Sequence, residues 1–147
     1  MGLYARGRAS PAPPRSPPAE PMPAPLLDEA DDRFEARPSA VAGAGLGVFA
    51  RVALPAGATL EVVGVYVRRG SVADRCTHFA DRHKFRVGDA LLIPVGLGGL
   101  VNHSPAPNLE KVFAGDRVWL RALRPLAAGE EVFFCYPDAA LERLGIG

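Results

Sequence analysis

From Arg33 onward, glycine and proline recur so often that an apolar period of 3.6 residues has little room to develop, and the chain is driven toward short strands joined by tight turns. Leu54-Pro55-Ala56-Gly57 is one such turn: proline presets φ, and glycine tolerates a positive φ. Gly88-Asp89 and Ala114-Gly115-Asp116 are two more. Between the turns, strands are expected at residues 34–37, 46–52, 59–67, 85–87, 90–93, 109–113, 117–123 and 131–136, several of them rich in β-branched and aromatic residues. Ser71-Val72-Ala73-Asp74 has the form of a capping box, so a short helix is expected to about Asp81. Asp138 is placed to cap a second helix ending near Gly145. The segments from Phe49 to Gly57 and from Leu120 to Gly129 echo each other, which predicts two similar corners, one near each end of the domain.

A chain of 147 residues with 48% hydrophobic content fits one domain with a modest core. Nine of its 15 prolines precede Ser39, so residues 1–32 are expected to form a disordered Pro/Ala/Arg-rich tail and residues 33–147 the folded domain. Arg6, Arg8 and Arg15 precede the first acid, Glu20, and faintly resemble a transit peptide, but a plain disordered leader explains them better. A formal charge of +1 carries neither a basic nor an acidic footprint, which argues against direct nucleic-acid binding. No apolar run approaches the roughly 20 residues of a membrane span. Two distant cysteines, Cys76 and Cys135, make neither a structural zinc site nor a disulfide framework.

The chemistry-bearing residues fall into three blocks. Asn102-His103-Ser104 follows small and apolar residues and is closed by Pro105, Pro107 and Asn108; polar side chains so placed must bond to backbone or to a ligand. Gly129-Glu130-Glu131-Val132-Phe133-Phe134-Cys135-Tyr136 is a turn and a strand ending in a phenol. The glycine pair Gly45 and Gly47 comes earlier, in Gly45-Leu46-Gly47-Val48-Phe49-Ala50. It does not fit the dinucleotide fingerprint, because the third glycine would fall at Val48 and a strand follows instead of a helix. In this order and spacing, from about Phe34 to Pro137, the blocks resemble the motifs of SET-domain protein-lysine methyltransferases, especially the compact viral and bacterial kind without zinc-binding flanks.

That resemblance implies a mainly β fold, the β-clip of SET domains, with short strands, small sheets and one or two short helices. It implies transfer of a methyl group from S-adenosylmethionine (SAM) to a lysine of a protein substrate, a histone or another basic protein, without a metal. Tyr136 matches the terminal tyrosine that orients the amine. Gly45, Leu46 and Gly47 match the segment beside the cofactor's methionine end, where a side chain would block approach, and Asn102 and His103 match the residues that hold the rest of SAM. Ser104 and Asn108 are expected to brace the loop. Phe134 and Phe85 fall in the substrate channel, and a phenylalanine at 134 leaves room for di- or trimethylation. A homodimer, as in small viral members, is a further expectation, as is a cytoplasmic location in a bacterium or a nuclear one in a eukaryote. The chain departs from the family pattern at Gly99, Pro105 and Cys135, and it carries His83-Lys84-Phe85 where many members place a channel tyrosine. These departures leave a second reading, a SET-fold peptide-binding module without turnover. Asp74, Cys76, His78, Asp81 and His83 invite a metal or thiol reading, but a solvated surface accounts for them better.

Overall fold

The computed structural model describes residues 31–145. Ten short strands lie in three small sheets: β1 (Phe34–Pro38), β2 (Leu46–Ala50), β3 (Thr59–Glu61), β4 (Gly64–Arg68), β5 (Phe85–Val87), β6 (Ala90–Pro94), β7 (Asn102–His103), β8 (Leu109–Ala114), β9 (Arg117–Ala122) and β10 (Glu131–Phe134). The helices are α1 (Val72–Cys76) and α2 (Asp138–Leu144), with 3-10 turns at His78–Ala80 and Leu97–Leu100. The sheet orders are β1-β2-β10-β7, β3-β9-β8 and β4-β6-β5. Among the described residues no helix is long and apolar enough to cross a membrane.

One core serves all three sheets. Leu60, Leu92, Leu109, Leu120 and Leu126, with Val48, Val101, Val118 and Val132, are almost wholly buried. Each such side chain contributes about 1.5–3 kcal/mol relative to an exposed one. The hairpin β8–β9 turns at Gly115, whose φ is +62°, and keeps Leu109 opposite Ala122 at its far end.

Three expectations of secondary structure need correction. The strand expected at 59–67 is two strands in different sheets: Leu60 pairs with Leu120 in one, and Val65 with Ile93 in the other. Val62 still donates to the Val118 carbonyl, while the Val63 carbonyl accepts from Val95, so the chain changes sheets between those residues. The helix expected to reach Asp81 stops at Cys76. Ser71 does cap it through the Asp74 N–H, but the Asp74 carboxylate accepts from Gly70, so the reciprocal half of the box is displaced by one residue. Asp138 begins α2 but does not cap it; Pro137 holds the cap position without a side-chain bond, and Gly145 closes the helix at φ +65°. The tail expected at residues 1–32 lies outside the described residues apart from Asp31 and Asp32, and Asp31 pairs with Arg33 at 2.7 Å.

The two echoing corners meet each other. Leu54 and Leu126 exchange both backbone hydrogen bonds, at 2.9 and 2.8 Å. Around them the pattern repeats with the partners swapped. Ala50 donates to Glu130 and accepts from Gly129, and Ala122 donates to Ala58 and accepts from Gly57. Gly57 and Gly129 take nearly the same φ, +84° and +83°. The corners are therefore halves of one local two-fold unit and do not sit at separate ends of the domain.

Candidate active site

β10 is the element on which the site is built. It lies between β2 and β7, antiparallel to the first and parallel to the second, with Phe133 opposite Asn102 and Phe134 opposite His103. β7 is only two residues long, so pairing alone is a weak anchor. Asn108 supplies the rest: its Oδ1 accepts from the Phe133 N–H at 2.7 Å, and its Nδ2 donates to the Glu131 carbonyl at 2.9 Å and to Glu130 Oε1 at 3.2 Å. At 4% exposure this amide has no water to substitute for those partners. Ser104 closes its own turn, accepting from the Ala106 N–H. Both residues brace the loop, as their positions suggested.

Beyond β10 the chain delivers Tyr136 back over β7. The Tyr136 N–H donates to Nδ1 of His103 at 3.0 Å, which puts the ring proton of a neutral imidazole on Nε2. The Tyr136 hydroxyl donates to the Val101 carbonyl at 2.8 Å. Its ring packs against Phe134 at 4.8 Å and His103 at 5.3 Å, and Phe134 stacks on Phe85 at 5.7 Å. Burial pushes the Tyr136 phenol above its ordinary range, so it stays protonated at neutral pH.

The two glycines do different work. Gly45 has φ +70° and open space where a side chain would stand, so it serves the turn and leaves its backbone accessible. At Gly47 a Cβ would lie 2.1 Å from Glu131 Oε1 and 3.2 Å from Asn102 Nδ2. A side chain at 47 is thus excluded by the protein itself, before any cofactor is considered. Leu46 contributes its carbonyl, which accepts from Asn102 Nδ2 at 3.0 Å.

Phe85, Phe134 and Tyr136 line one cleft of about 580 Å³, which also reaches Gly98, Gly99 and Val101. Gly45, Gly47, Asn102 and His103 do not line it, although His103 packs against Tyr136. One wall of the cleft is formed by Asp74 of α1 and by the segment from Asp81 to Arg86, and α1 itself buries no side chain. A polar clamp holds that wall: Lys84 Nζ reaches Asp74 and Asp81, both at 2.7 Å, with its side chain 4% exposed. Desolvation works against the Lys84 ammonium, but the two carboxylates outweigh it and raise the pKa. Lys84 therefore faces this acid pair, and Phe85 supplies the channel wall. Among the described residues no group of three or more His, Cys, Asp or Glu side chains is arranged to hold a metal.

A profile described as SET domain matches residues 45–137. The chain belongs to the SET-domain family. Over 61 residues this SET domain is 41% identical to mouse histone-lysine N-methyltransferase SMYD3, a match covering 38% of the chain and 14% of the mouse protein. Over 42 residues it is 40% identical to chicken protein-lysine N-methyltransferase SMYD4, covering 29% of the chain and 6% of that protein. The SET domain thus spans a small part of the curated relatives it matches. Its fold is also that of a humanized mutant of the Chaetomium thermophilum Polycomb Repressive Complex 2 bound to the inhibitor GSK126, with a TM-score of 0.62 at 22% identity over 71% of this chain and 15% of that one. A Plasmodium falciparum protein described as a candidate histone methyltransferase aligns with a TM-score of 0.57 at 19% identity, over 72% of this chain and 94% of that one.

Two residues of this SET domain escaped the reading of the sequence. Glu131 is a buried carboxylate that accepts from Ser39 Oγ at 2.6 Å, the Ala40 N–H at 3.0 Å and Asn102 Nδ2 at 3.5 Å, tying the loop before β2 to β7. Nothing local marks it apart from Glu130. Lys111 lines the cleft, half-buried, with Nζ 6.0 Å from the centre of the Phe85 ring and 5.3 Å from that of Phe113. Strand alternation was the available signal, since Lys111 shares a face with the fully buried Leu109. Desolvation lowers its pKa.

Proposed function

We propose that this SET domain transfers methyl groups from SAM to the ε-amine of a lysine in a protein substrate. The observation that carries the reading is the convergence at Tyr136: its hydroxyl is fixed on the Val101 carbonyl, its backbone on His103, and its ring against the Phe134–Phe85 wall of an open cleft.

The residues beside the cleft that do not line it fit the cofactor. Gly45 leaves its backbone approachable, and among the described residues Asn102 Oδ1 and His103 Nε2 have no hydrogen-bond partner. Gly45, Leu46, Gly47, Asn102 and His103 would hold SAM there, Gly47 by letting the loop close on Glu131. When bound, SAM supplies an electrophilic methyl carbon on a cationic sulfonium.

The protein's own residues act on the amine. A free lysine with a pKa near 10.4 is only roughly 0.1% neutral at pH 7.5, a deficit of about 4 kcal/mol. The aromatic wall of Phe85, Phe134 and Tyr136 strips water from the ammonium and so favours the neutral form. Lys111 adds like charge in the same cleft, which acts in the same direction. With the Tyr136 proton committed to Val101, the phenolic oxygen is left as an acceptor for an N–H of the amine and orients its lone pair. The phenol is no general base, because burial keeps it protonated; the substrate proton leaves to water. Phe134 offers no hydroxyl to hold a bridging water, so the cleft has room for successive methyl groups and the product is di- or trimethyllysine.

The test is methyl transfer from radiolabelled SAM to core histones and cell-lysate proteins, with Tyr136→Phe as control. Label on lysine that falls by two orders of magnitude or more in the control supports the reading. No label together with no calorimetric binding of SAM would overturn it and favour the peptide-binding module.

A further inference from the structure

The near-neutral total charge conceals a lopsided cleft. Five cationic side chains line it, Arg69, Arg82, Lys84, Arg86 and Lys111, against two carboxylates, Asp74 and Asp81. Both carboxylates are taken by Lys84. Among the described residues Arg69, Arg82, Arg86 and Lys111 lie in no ion pair within 4.0 Å, whereas Arg33, Arg37, Arg51, Arg117, Arg121 and Arg124 elsewhere on the surface each have a carboxylate partner. Arg68 and Arg75 are likewise in no ion pair but lie outside the lining of the cleft; Arg69, Arg82, Arg86 and Lys111 stand together around the opening that leads to Tyr136, with no free carboxylate among them. Arg69, Arg82 and Arg86 are exposed at the rim, and Lys111 stands within, against the ring faces of Phe85 and Phe113.

Granting that the chain methylates lysine, we infer that its substrate presents the target lysine between acidic residues, not in the basic tail expected of a histone. A basic segment would bring further cations against Arg82, Arg86 and Lys111, and like charges brought together on docking oppose association. A lysine flanked by Asp or Glu reverses the sign at the rim. Its carboxylates pair with arginines whose planar donors suit them, while its ammonium enters the aromatic cleft. Low-dielectric walls focus the potential of such a cleft, so the preference also appears in the association rate and is screened by salt.

The experiment uses the full chain and fluorescent peptides of equal length carrying one lysine flanked by four glutamates, four glutamines or four arginines, with a single-stranded RNA oligomer of the same length. Binding is read by anisotropy at 50 mM and 500 mM salt, and turnover with radiolabelled SAM is read in parallel. The expected result is affinity for the acidic peptide about tenfold above the neutral one and higher still above the basic one, shrinking to about twofold at high salt. The Arg82→Glu/Arg86→Glu double variant should invert that order while leaving SAM binding and the thermal midpoint unchanged. Equal or tighter binding of the basic peptide overturns the inference even when the protein methylates it, as does RNA binding above that of the acidic peptide. An acidic preference in binding without turnover or SAM binding would sustain the charge reading and overturn the methyltransferase one.

Discussion

Replacing Gly47 by alanine should cost far more than an alanine in a strand ordinarily does. The new Cβ would sit 2.1 Å from Glu131 Oε1, where ordinary contact begins at 3.4 Å, so the carboxylate must retreat by more than about 1 Å. Oε1 is the atom that holds Ser39 Oγ at 2.6 Å, and Asn102 Nδ2 approaches it at 3.5 Å. A hydrogen bond to a charged group is worth about 1.5–3 kcal/mol, and a buried carboxylate at 8% exposure cannot recover it from water. Against this stands about 0.4–1 kcal/mol gained by stiffening the unfolded chain. The net loss is about 1–2.5 kcal/mol, a fall in thermal midpoint of about 4–12 °C for a domain of this size. The assay is a double-mutant cycle by urea denaturation with Glu131→Ala. In the Glu131→Ala background the alanine at 47 meets no carboxylate, so the two changes should couple by about 2 kcal/mol. Gly45→Ala is the contrast: φ is +70° with open space around it, so it should cost about 1–2 kcal/mol from backbone strain in either background. An identical cost of Gly47→Ala in both backgrounds would refute the reasoning.

Asn108→Ala leaves the Phe133 N–H and the Glu131 carbonyl without their partner, so it should destabilise by about 2–4 kcal/mol, read as a lower urea midpoint with an unchanged slope. Glu130, held by Arg124, the Ala127 N–H and Asn108, has its pKa lowered from 4.5 to about 2. Its contribution is therefore complete above pH 4.5 and lost as the pH falls toward 2; with Arg124 more than half exposed it amounts to about 1–2 kcal/mol. Glu130→Gln should flatten stability between pH 5 and 2, and a limb as steep as the wild type's would count against this account. Gly57→Ala and Gly129→Ala should cost the same, about 1–2 kcal/mol each, because the two positions share one backbone geometry. Unequal losses by urea titration would show that the corners are not equivalent.

The turns were legible because their chemistry is local: Gly88 and Gly115 both take the positive φ that only glycine tolerates easily, and the strands on either side follow. The break at Val62–Val63 was not, because Val62, Val63, Val65 and Val67 suit a strand equally on both sides of it and nothing in their pattern marks a change of sheet. At the site, Tyr136, Asn102, His103, Phe134 and Phe85 could be picked out by motif, and the structure brings Tyr136, Phe134 and Phe85 into one cleft and His103 against Tyr136. What could not be read was partnership at a distance. Gly47 looked like a residue kept small for a ligand, and only the fold shows Glu131 filling the space. The charge of the cleft was invisible for a related reason: a total of +1 averages over pairs that form elsewhere, and only three dimensions show which cations are left over.

The meeting of the two corners bears on how the protein is made. Residues around Leu54 leave the ribosome long before their counterparts around Leu126, and until those arrive the first corner has no partner for its backbone groups. β10 follows later still, into a slot whose walls, β2 and β7, are already synthesised but cannot pair with each other across it. Such non-local closure makes for slow folding, with exposed strand edges in the interim. The cleft around Tyr136 is thus completed only once β10 has found its place between β2 and β7.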